Sequence, residues 1–280
     1  MSHELIMMAL EEDIGEGDVT SEYFIPEDRR AIAFVKVRKE GVVSGIQLAK
    51  DVFLEVDPNL DVHLMLVDGS KVGPGAMLMR VEGSARSILT AERTALNFLQ
   101  RLSGVASMTA RYVNLVKHTR AKILDTRKTT PGYRALEKKA VVDGGGTNHR
   151  MGLFDRAMVK DNHLAAEGGM AALQDAIRKV KEAKPHVQVE LEADRLDQVS
   201  QFLELEGVDY ILLDNMGLDE LKEAVEMRGG NSRVRLEASG GVNLDTVVGI
   251  AETGVDFISV GALTHSAPSL DIGLDFPERE

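Results

Sequence analysis

Six short apolar segments, separated by segments of helical pattern, most constrain how this 280-residue chain can fold. Repeated strand–helix units predict parallel strands joined by crossover helices. Five of the six segments end in, or run directly into, a charged residue or a serine–glycine turn. Because the catalytic groups of a β/α barrel lie at the carboxyl ends of its strands, this pattern favours a barrel over an open sheet. The predicted strands are residues 122–126, 157–160, 187–192, 210–214, 234–238 and 257–260.

The first third of the chain has a different pattern, which predicts a smaller α/β unit. Residues 31–38 alternate apolar and polar side chains, and segments 60–67 and 77–82 repeat this strand pattern between glycine-containing turns. A helical period follows from Ser87 to about Leu102. The predicted domains are an N-terminal α/β domain at 1–106 and a barrel at 107–265, with a tail at 266–280 for which a return to the first domain is one option.

Composition excludes several kinds of function. The chain has no cysteine, which rules out disulfides, a thiolate nucleophile, cysteine-ligated zinc and iron–sulfur clusters. Its 33 basic and 45 acidic residues give a net charge of −12, which argues against general nucleic-acid binding. No basic leader and no run of about 18 apolar residues is visible, so we expect a cytoplasmic protein that does not enter a membrane.

One local basic cluster stands out in this acidic chain. Arg127 and Lys128 follow the first predicted barrel strand, His149 and Arg150 follow three glycines, and Lys160 ends the second strand. Because strand ends of a barrel face one pocket, these side chains predict an anion site. Arginine presents a planar fork to carboxylates and phosphates, and lysine presents a compact charge.

Two carboxylates end the next two predicted strands. Glu192 and Asp214 suit a Mg²⁺ ion that is completed by substrate phosphates and water. Alternatively, each of them neutralises a neighbouring basic residue. Glu190 shares the face of Glu192 because strand side chains repeat every two residues, and Glu192 is favoured because it lies nearer the carboxyl end.

Glycine turns follow the last two predicted strands. Glycine lets backbone N–H groups approach a phosphate closely, as at the usual barrel phosphate site. The candidate phosphate-binding residues are Ser239, Gly240, Gly241 and Gly261.

Six segments of the chain together resemble the quinolinate phosphoribosyltransferase family. They are residues 12–20 (EDIGEGDVT), 92–97 (ERTALN), 125–129 (DTRKT), 144–150 (GGGTNHR), 160–163 (KDNH) and 239–241 (SGG). The resemblance implies an α/β fold with an N-terminal α/β sandwich domain and an incomplete, seven-stranded parallel β/α barrel. It also implies transfer of phosphoribosyl from 5-phosphoribosyl pyrophosphate to quinolinate with loss of CO₂, giving nicotinate mononucleotide and pyrophosphate in NAD biosynthesis.

The same resemblance implies roles for individual residues. Lys128, Lys160, Glu192 and Asp214 would be catalytic, with Mg²⁺ as cofactor at Glu192 and Asp214, directly or through water. In this family the N-terminal domain of one subunit covers the barrel of its partner, so Arg93 would act across a homodimer interface; the sequence leaves a dimer or a hexamer open. The substrate-binding set would be Arg93, Thr126, Arg127, Lys128, His149, Arg150, Lys160, Glu192 and Asp214, with Ser239, Gly240, Gly241 and Gly261 at the 5-phosphate.

Two other functions fit parts of the pattern. A strand-end lysine beside a phosphate site is also what a Schiff-base barrel aldolase needs, with Lys160 as the nucleophile. A relative associated with molybdenum transport, which shares the fold without the activity, would be a binding protein. The intact basic motifs around Arg127, His149 and Lys160 argue against that loss of activity.

Overall fold

The computed structural model of the protein describes residues 2–160, 169–230 and 233–277. Over these residues the chain forms two compact units. The first contains residues up to Ala110, Lys139–Gly145 and residues from Ala267 onward, and the second contains Arg111–Lys138 and the described part of Gly146–Ser266. Three residues of the 160–163 motif, Asp161 to His163, lie outside the described ranges. Within those ranges, every helix is too short or too polar to cross a membrane.

A four-stranded antiparallel sheet is the main element of the first unit. Its strands are β1 (Arg30–Val37), β3 (Asp61–Leu64), β5 (Met77–Ser84) and β12 (Ile272–Asp275). Their order in the sheet is β12, β1, β5 and β3. The unit also contains α1 (Ser2–Ile14), α2 (Val19–Phe24), β2 (Gly41–Val42), α3 (Ile46–Val56), β4 (Lys71–Val72) and most of a long helix described below. The three strands predicted from period-two patterns are therefore present, and β3 is shorter than the predicted segment 60–67.

The C-terminal tail supplies one edge of this sheet. β12 pairs antiparallel with β1, so that Phe34 lies opposite Asp275 and Val37 opposite Ile272. The pairing is reinforced by Lys36, whose Nζ lies 3.4 Å from Asp275 Oδ2, and by an ion pair of Arg38 with Asp275. Sequence pattern alone left the placement of this tail open because four residues carry too little periodicity.

Helix α4 (Ala85–Val116) is longer than the sequence predicted. The expected end near Leu102 is wrong, because Gly104 lies inside the helix without breaking it. A Cβ at Gly104 would lie 2.1 Å from the carbonyl oxygen of Pro268. This glycine therefore serves a close backbone approach to the returning tail and not a helix end.

A six-stranded parallel sheet forms the second unit. Its order is β6, β11, β10, β9, β8, β7, so the last strand along the chain pairs with the first, as in a closing barrel. A single parallel bridge between Leu124 and Thr147 stands where a seventh strand would lie. The strands are β6 (Lys122–Leu124), β7 (Arg156–Val159), β8 (Gln188–Ala193), β9 (Tyr210–Asp214), β10 (Arg235–Ser239) and β11 (Phe257–Ser259). All six predicted strands and the incomplete barrel are confirmed, and the implied seventh strand is reduced to one residue.

Helices follow the barrel strands and bury one face each. Val199 and Phe202 of α7, and Leu221 and Ala224 of α8, have the spacing of one helix face and are buried. The helices are α5 (Arg134–Asp143), α6 (Met170–Ala183), α7 (Leu196–Leu203), α8 (Leu218–Arg228), α9 (Val247–Glu252) and α10 (Ala262–His265). This arrangement leaves the carboxyl ends of the strands available for a site.

Candidate active site

A cavity of about 620 Å³ lies at the carboxyl ends of the strands in the second unit. Most of its lining follows from the parallel register, which places strand ends side by side; Ser239, for example, lies opposite Asp214. The lining residues are Thr126, Arg127, Lys128, His149, Arg150, Met158, Lys160, Glu192, Leu212, Asp214, Asn215, Glu237, Ser239, Gly240, Gly241 and Ser259. Eleven of the thirteen predicted site residues are in this set, and Arg93 and Gly261 are not.

The two predicted residues outside the lining have different surroundings. Arg93 is exposed on α4 in the first unit, so its predicted role stays a prediction about a partner subunit. Gly261 precedes α10, and a Cβ there would lie 3.1 Å from Lys128 Cδ. Gly261 thus borders a cavity-lining lysine without lining the cavity.

The basic residues converge in this cavity as the sequence predicted. Lys160 Nζ donates to Glu192 Oε2 at 2.8 Å. Arg150 Nη1 donates to the carbonyl oxygen of Arg156 at 3.2 Å. Burial, and then the positive charge of Arg127, lowers the pKa of the Arg150 guanidinium. Two guanidiniums that repel each other in one cavity are stabilised by a bound anion, and a dicarboxylate or a phosphate provides that charge.

The two predicted carboxylates line the cavity, whereas Glu190 does not. Glu192 contacts Lys160, and Asp214 Oδ2 accepts a hydrogen bond from Asn215 Nδ2 at 2.9 Å. Glu190 lies on the same face of β8 but one step further inside the sheet, where it is fully buried. Position therefore separates the two: Glu192 is the one that a ligand in the cavity would meet.

The loop after β10 is shaped by two glycines with positive φ. Gly240 has φ +93° and Gly241 has φ +60°. A Cβ at Gly240 would lie 2.1 Å from Asn215 Oδ1, so only glycine fits there. Asn215, which is not among the predicted site residues, also has a positive φ of 56° and lines the cavity. Asparagine is among the few residues that adopt this conformation readily.

A buried ion pair supports the His149–Arg150 segment. Lys138 Nζ donates to Asp125 Oδ1 at 2.5 Å, and their side chains are only 1% and 0% exposed. Asp125 Oδ1 also accepts the backbone N–H of His149 at 2.8 Å, and Lys138 Nζ donates to the carbonyl oxygen of His149 at 3.1 Å. When the amide nitrogen of Asn148 is oriented toward the Asp125–Lys138 pair, it donates to Asp125 Oδ2 at 2.8 Å. The Asp125–Lys138 pair thus fixes the backbone of the segment that carries His149 and Arg150, two predicted substrate-binding residues.

His149 itself contacts two buried carboxylates. Its Nε2 lies 3.1 Å from Glu190 Oε2 and 3.4 Å from Glu237 Oε1. Burial alone would lower the pKa of His149, and the hydrogen bonds and charges of Glu190 and Glu237 raise that pKa while both side chains are carboxylates. Arg156 Nη1 lies 3.4 Å from Glu190 Oε2, and its guanidinium stacks over the Tyr210 ring at 4.2 Å. The Ser259 hydroxyl donates to Glu237 Oε1.

Sequence reasoning missed this buried cluster and the Asp125–Lys138 pair. One signal was available for Glu237: it stands two residues before Ser239 on a strand, and therefore on the same face. Glu190 likewise stands two residues before Glu192 on its strand, and therefore on the same face. Lys138 carried no such signal, because its partner Asp125 is reached only through the packing of α5.

Comparisons with known proteins agree over nearly the whole chain. The family models for the N-terminal and C-terminal domains of quinolinate phosphoribosyl transferase match residues 18–103 and 105–275. A nicotinate-nucleotide pyrophosphorylase (carboxylating) of Mycobacterium leprae is 43% identical over 279 residues, which cover 98% of this chain and 96% of the relative. A mitochondrial quinolinate phosphoribosyltransferase (decarboxylating) of Nicotiana glauca is 44% identical over 287 residues, which cover 97% and 81%.

The fold agrees with a solved relative as well. The structure of the nicotinate-nucleotide pyrophosphorylase from Francisella tularensis superposes with a TM-score of 0.91 at 38% identity, covering 99% of this chain and 96% of that one. Sequence models, curated relatives and fold thus converge on one assignment: the chain belongs to the quinolinate phosphoribosyltransferase family.

Proposed function

We propose that this protein is a pentosyltransferase that transfers phosphoribosyl from 5-phosphoribosyl pyrophosphate to the ring nitrogen of quinolinate. Loss of CO₂ then gives nicotinate mononucleotide for NAD biosynthesis, with pyrophosphate as the other product. One observation carries the proposal: in a member of this family, four arginine and lysine side chains line one cavity together with the carboxylates of Glu192 and Asp214. Such a cavity suits a dicarboxylate acceptor and a phosphorylated donor.

Quinolinate has two adjacent carboxylates, which the paired guanidiniums of Arg127 and Arg150 match in charge and geometry. His149 and Lys160 complete this side of the proposed acceptor site. Burial and then the charge of Arg127 lower the pKa of Arg150. The repulsion between the two guanidiniums favours binding of the dianion, because the substrate neutralises both. Thr126, whose Oγ1 accepts the backbone N–H of Lys128 at 3.0 Å, fixes the loop between the two substrates.

The donor would occupy the other strand ends. The loop of Ser239, Gly240 and Gly241, with Gly261 beside Lys128, would hold the 5-phosphate. Lys128 would contact the pyrophosphate, and Glu192 and Asp214 the ribose hydroxyls. Those carboxylates also stabilise positive charge that develops on the sugar as the bond to pyrophosphate breaks.

The residues present fit a Mg²⁺ cofactor. Glu192 and Asp214 line one polar cavity, yet among the described residues they are not part of any preformed cluster of three ligating side chains. A site with few protein carboxylates suits Mg²⁺, which keeps water ligands and binds substrate phosphates. When bound, this ion supplies charge stabilisation for the departing pyrophosphate.

The chemistry requires little covalent help from the protein. The pyridine nitrogen is the nucleophile, and the cavity holds it against the anomeric carbon. Lys128 stabilises negative charge on the leaving pyrophosphate. Once the nitrogen is quaternary, it stabilises the electron pair that remains on the adjacent ring carbon when that carbon loses CO₂.

The aldolase alternative conflicts with the surroundings of Lys160. A Schiff-base lysine must be a neutral amine to attack a carbonyl, and a hydrophobic pocket or a neighbouring cation normally achieves this. Here Nζ lies 2.8 Å from Glu192 Oε2 and the side chain is 46% exposed, so Lys160 does not lie in a hydrophobic pocket.

A homodimer with shared active sites would explain the exposed position of Arg93 on α4. Arg93→Ala is then expected to raise the KM for quinolinate at least tenfold without lowering the unfolding temperature. Mixing this variant with an inactive Lys128→Ala variant would restore part of the activity, and no recovery in mixed dimers would contradict a shared site.

A larger assembly and a cytoplasmic location remain predictions, since the Nicotiana glauca relative is named mitochondrial.

The decisive assay is CO₂ release from carboxyl-labelled quinolinate in the presence of 5-phosphoribosyl pyrophosphate and Mg²⁺. Release should require all three components, and nicotinate should be inert as acceptor. If a folded, metal-supplied protein releases no CO₂, the catalytic proposal fails, and the binding-protein relative becomes the better interpretation.

A further inference from the structure

Four ionisable side chains cluster against the inner wall of the candidate active site: His149, Arg156, Glu190 and Glu237. His149 and Glu237 line the cavity, and neither carboxylate has any exposed surface. Two buried carboxylates facing one guanidinium leave an excess negative charge. Because an uncompensated buried charge is very costly, the cluster holds one further proton, on either His149 or Glu237.

The contacts place this proton on Glu237. The backbone N–H of Arg150 donates to His149 Nδ1 at 2.7 Å, so Nδ1 is an acceptor and the neutral ring fits. Nε2–H of that ring then donates to the nearer carboxylate, Glu190, at 3.1 Å. Arg156 Nη1 is likewise nearer to Glu190 at 3.4 Å than to Glu237 at 4.0 Å.

Glu237 has the surroundings of a neutral carboxylic acid. Among the described atoms, Oε2 of Glu237 and Oε1 of Glu190 are both buried without a hydrogen-bond partner, which is costly for an anion, so the two carboxyl groups are not both charged. Burial, and then the negative charge of Glu190, raises the pKa of Glu237, against the opposing contacts of His149 and Ser259. The proposed phosphoribosyl transfer gives this acid no task.

We propose that Glu237 is the general acid that protonates the ring carbon losing CO₂, an inference that rests on the proposed function. The bond between this carbon and its carboxylate breaks, and CO₂ leaves without the electron pair. That pair, beside the quaternary nitrogen, takes the proton of Glu237 and forms the new C–H bond. Glu237 becomes a carboxylate and recovers a proton from solvent after product release.

The other cavity-lining donors are less suited to this step. Arginine does not give up a proton at neutral pH, which excludes Arg127 and Arg150. Lys160 is paired with Glu192, and its side chain is 46% exposed. Lys128 is also exposed and lies where the pyrophosphate is expected. Glu237 alone among the titratable lining residues is fully buried, so substrate in the cavity separates it from bulk water until product is released.

Glu237→Gln tests this role, because glutamine keeps the size of the side chain and has no acidic proton. Pyrophosphate release and CO₂ release are measured separately in single turnovers with Mg²⁺, quinolinate and 5-phosphoribosyl pyrophosphate. We expect pyrophosphate release within about threefold of the unmodified protein and CO₂ release slowed at least about 100-fold. The carboxylated mononucleotide should accumulate, and Glu237→Asp, which restores an acidic proton, should recover at least tenfold of the CO₂ rate.

Equal slowing of both releases in Glu237→Gln would overturn the proposal in favour of a structural role, and unchanged CO₂ release would overturn it in favour of another donor. Circular dichroism and thermal unfolding establish that the variant is folded. Should glutamine prevent folding, Glu237→Asp replaces it: CO₂ release must then slow more than pyrophosphate release, and equal slowing contradicts the role. If the unmodified protein itself releases no pyrophosphate with quinolinate, the proposed function is what fails.

Discussion

Replacing Lys138 by methionine removes a buried ammonium while keeping most of the aliphatic stem. Lys138 Nζ lies 2.5 Å from Asp125 Oδ1, and both side chains are almost completely buried. At an effective dielectric constant of about 20, the attraction between these charges is roughly 7 kcal/mol, and desolvation offsets most of it. Burial raises the pKa of Asp125 and lowers that of Lys138, so each charge depends on the other.

Removing one partner leaves Asp125 as an uncompensated buried charge. We therefore expect Lys138→Met to lower the free energy of unfolding by about 3–5 kcal/mol. The double variant Asp125→Asn/Lys138→Met removes both charges and should be less destabilised than Lys138→Met alone. Urea unfolding followed by circular dichroism measures each variant, and the double-mutant cycle gives the coupling between the two residues.

The neighbouring Lys139 provides a matched control on the same helix. Its side chain is 53% exposed, although it lies 2.6 Å from Asp68 and 2.7 Å from Asp143. Exposed ion pairs contribute little, so Lys139→Met should cost at most about 1 kcal/mol. Equal losses of unfolding free energy in Lys138→Met and Lys139→Met would refute the reasoning. So would a double variant whose loss is simply the sum of the losses of Asp125→Asn and Lys138→Met. Lys138→Met should also raise the KM for quinolinate, because Lys138 fixes the backbone of His149.

Two further predictions concern the site. Lys128→Ala should lower kcat at least about 100-fold with little change in the KM for quinolinate, and unchanged kcat in steady-state assays would remove Lys128 from the catalytic set. Gly240→Ala would place a methyl group 2.1 Å from Asn215 Oδ1 at a φ of +93°, so the KM for 5-phosphoribosyl pyrophosphate should rise at least tenfold; an unchanged KM would mean that this loop does not hold the phosphate.

The barrel strands were predictable because their signal is local. A buried parallel strand is a short apolar run, and the residue that ends it can be read directly, as with Lys160, Glu192 and Asp214. Parallel pairing then brings these ends to one edge of the sheet. The catalytic roles implied by the family resemblance remain predictions for the assays above.

Elements whose form depends on distant partners could not be predicted in this way. Glycine is normally a poor helix residue, and only the approach of Pro268 shows why α4 has a glycine at position 104. The tail strand β12 exists as a strand because β1 offers it an edge. In both cases the deciding contact joins segments that are far apart along the chain.

The sequence by itself determined the strand–helix alternation, the residues at the strand ends and the family, because each of these is recorded in neighbouring residues. Only the tertiary structure decided which interior side chains meet. Closure of the sheet brings Glu190, Glu237 and His149 together from three separate segments, and the packing of α5 brings Lys138 to Asp125. Periodicity shows that a side chain points inward, whereas the protonation state and strength of a buried contact depend on the partners that the fold places around it.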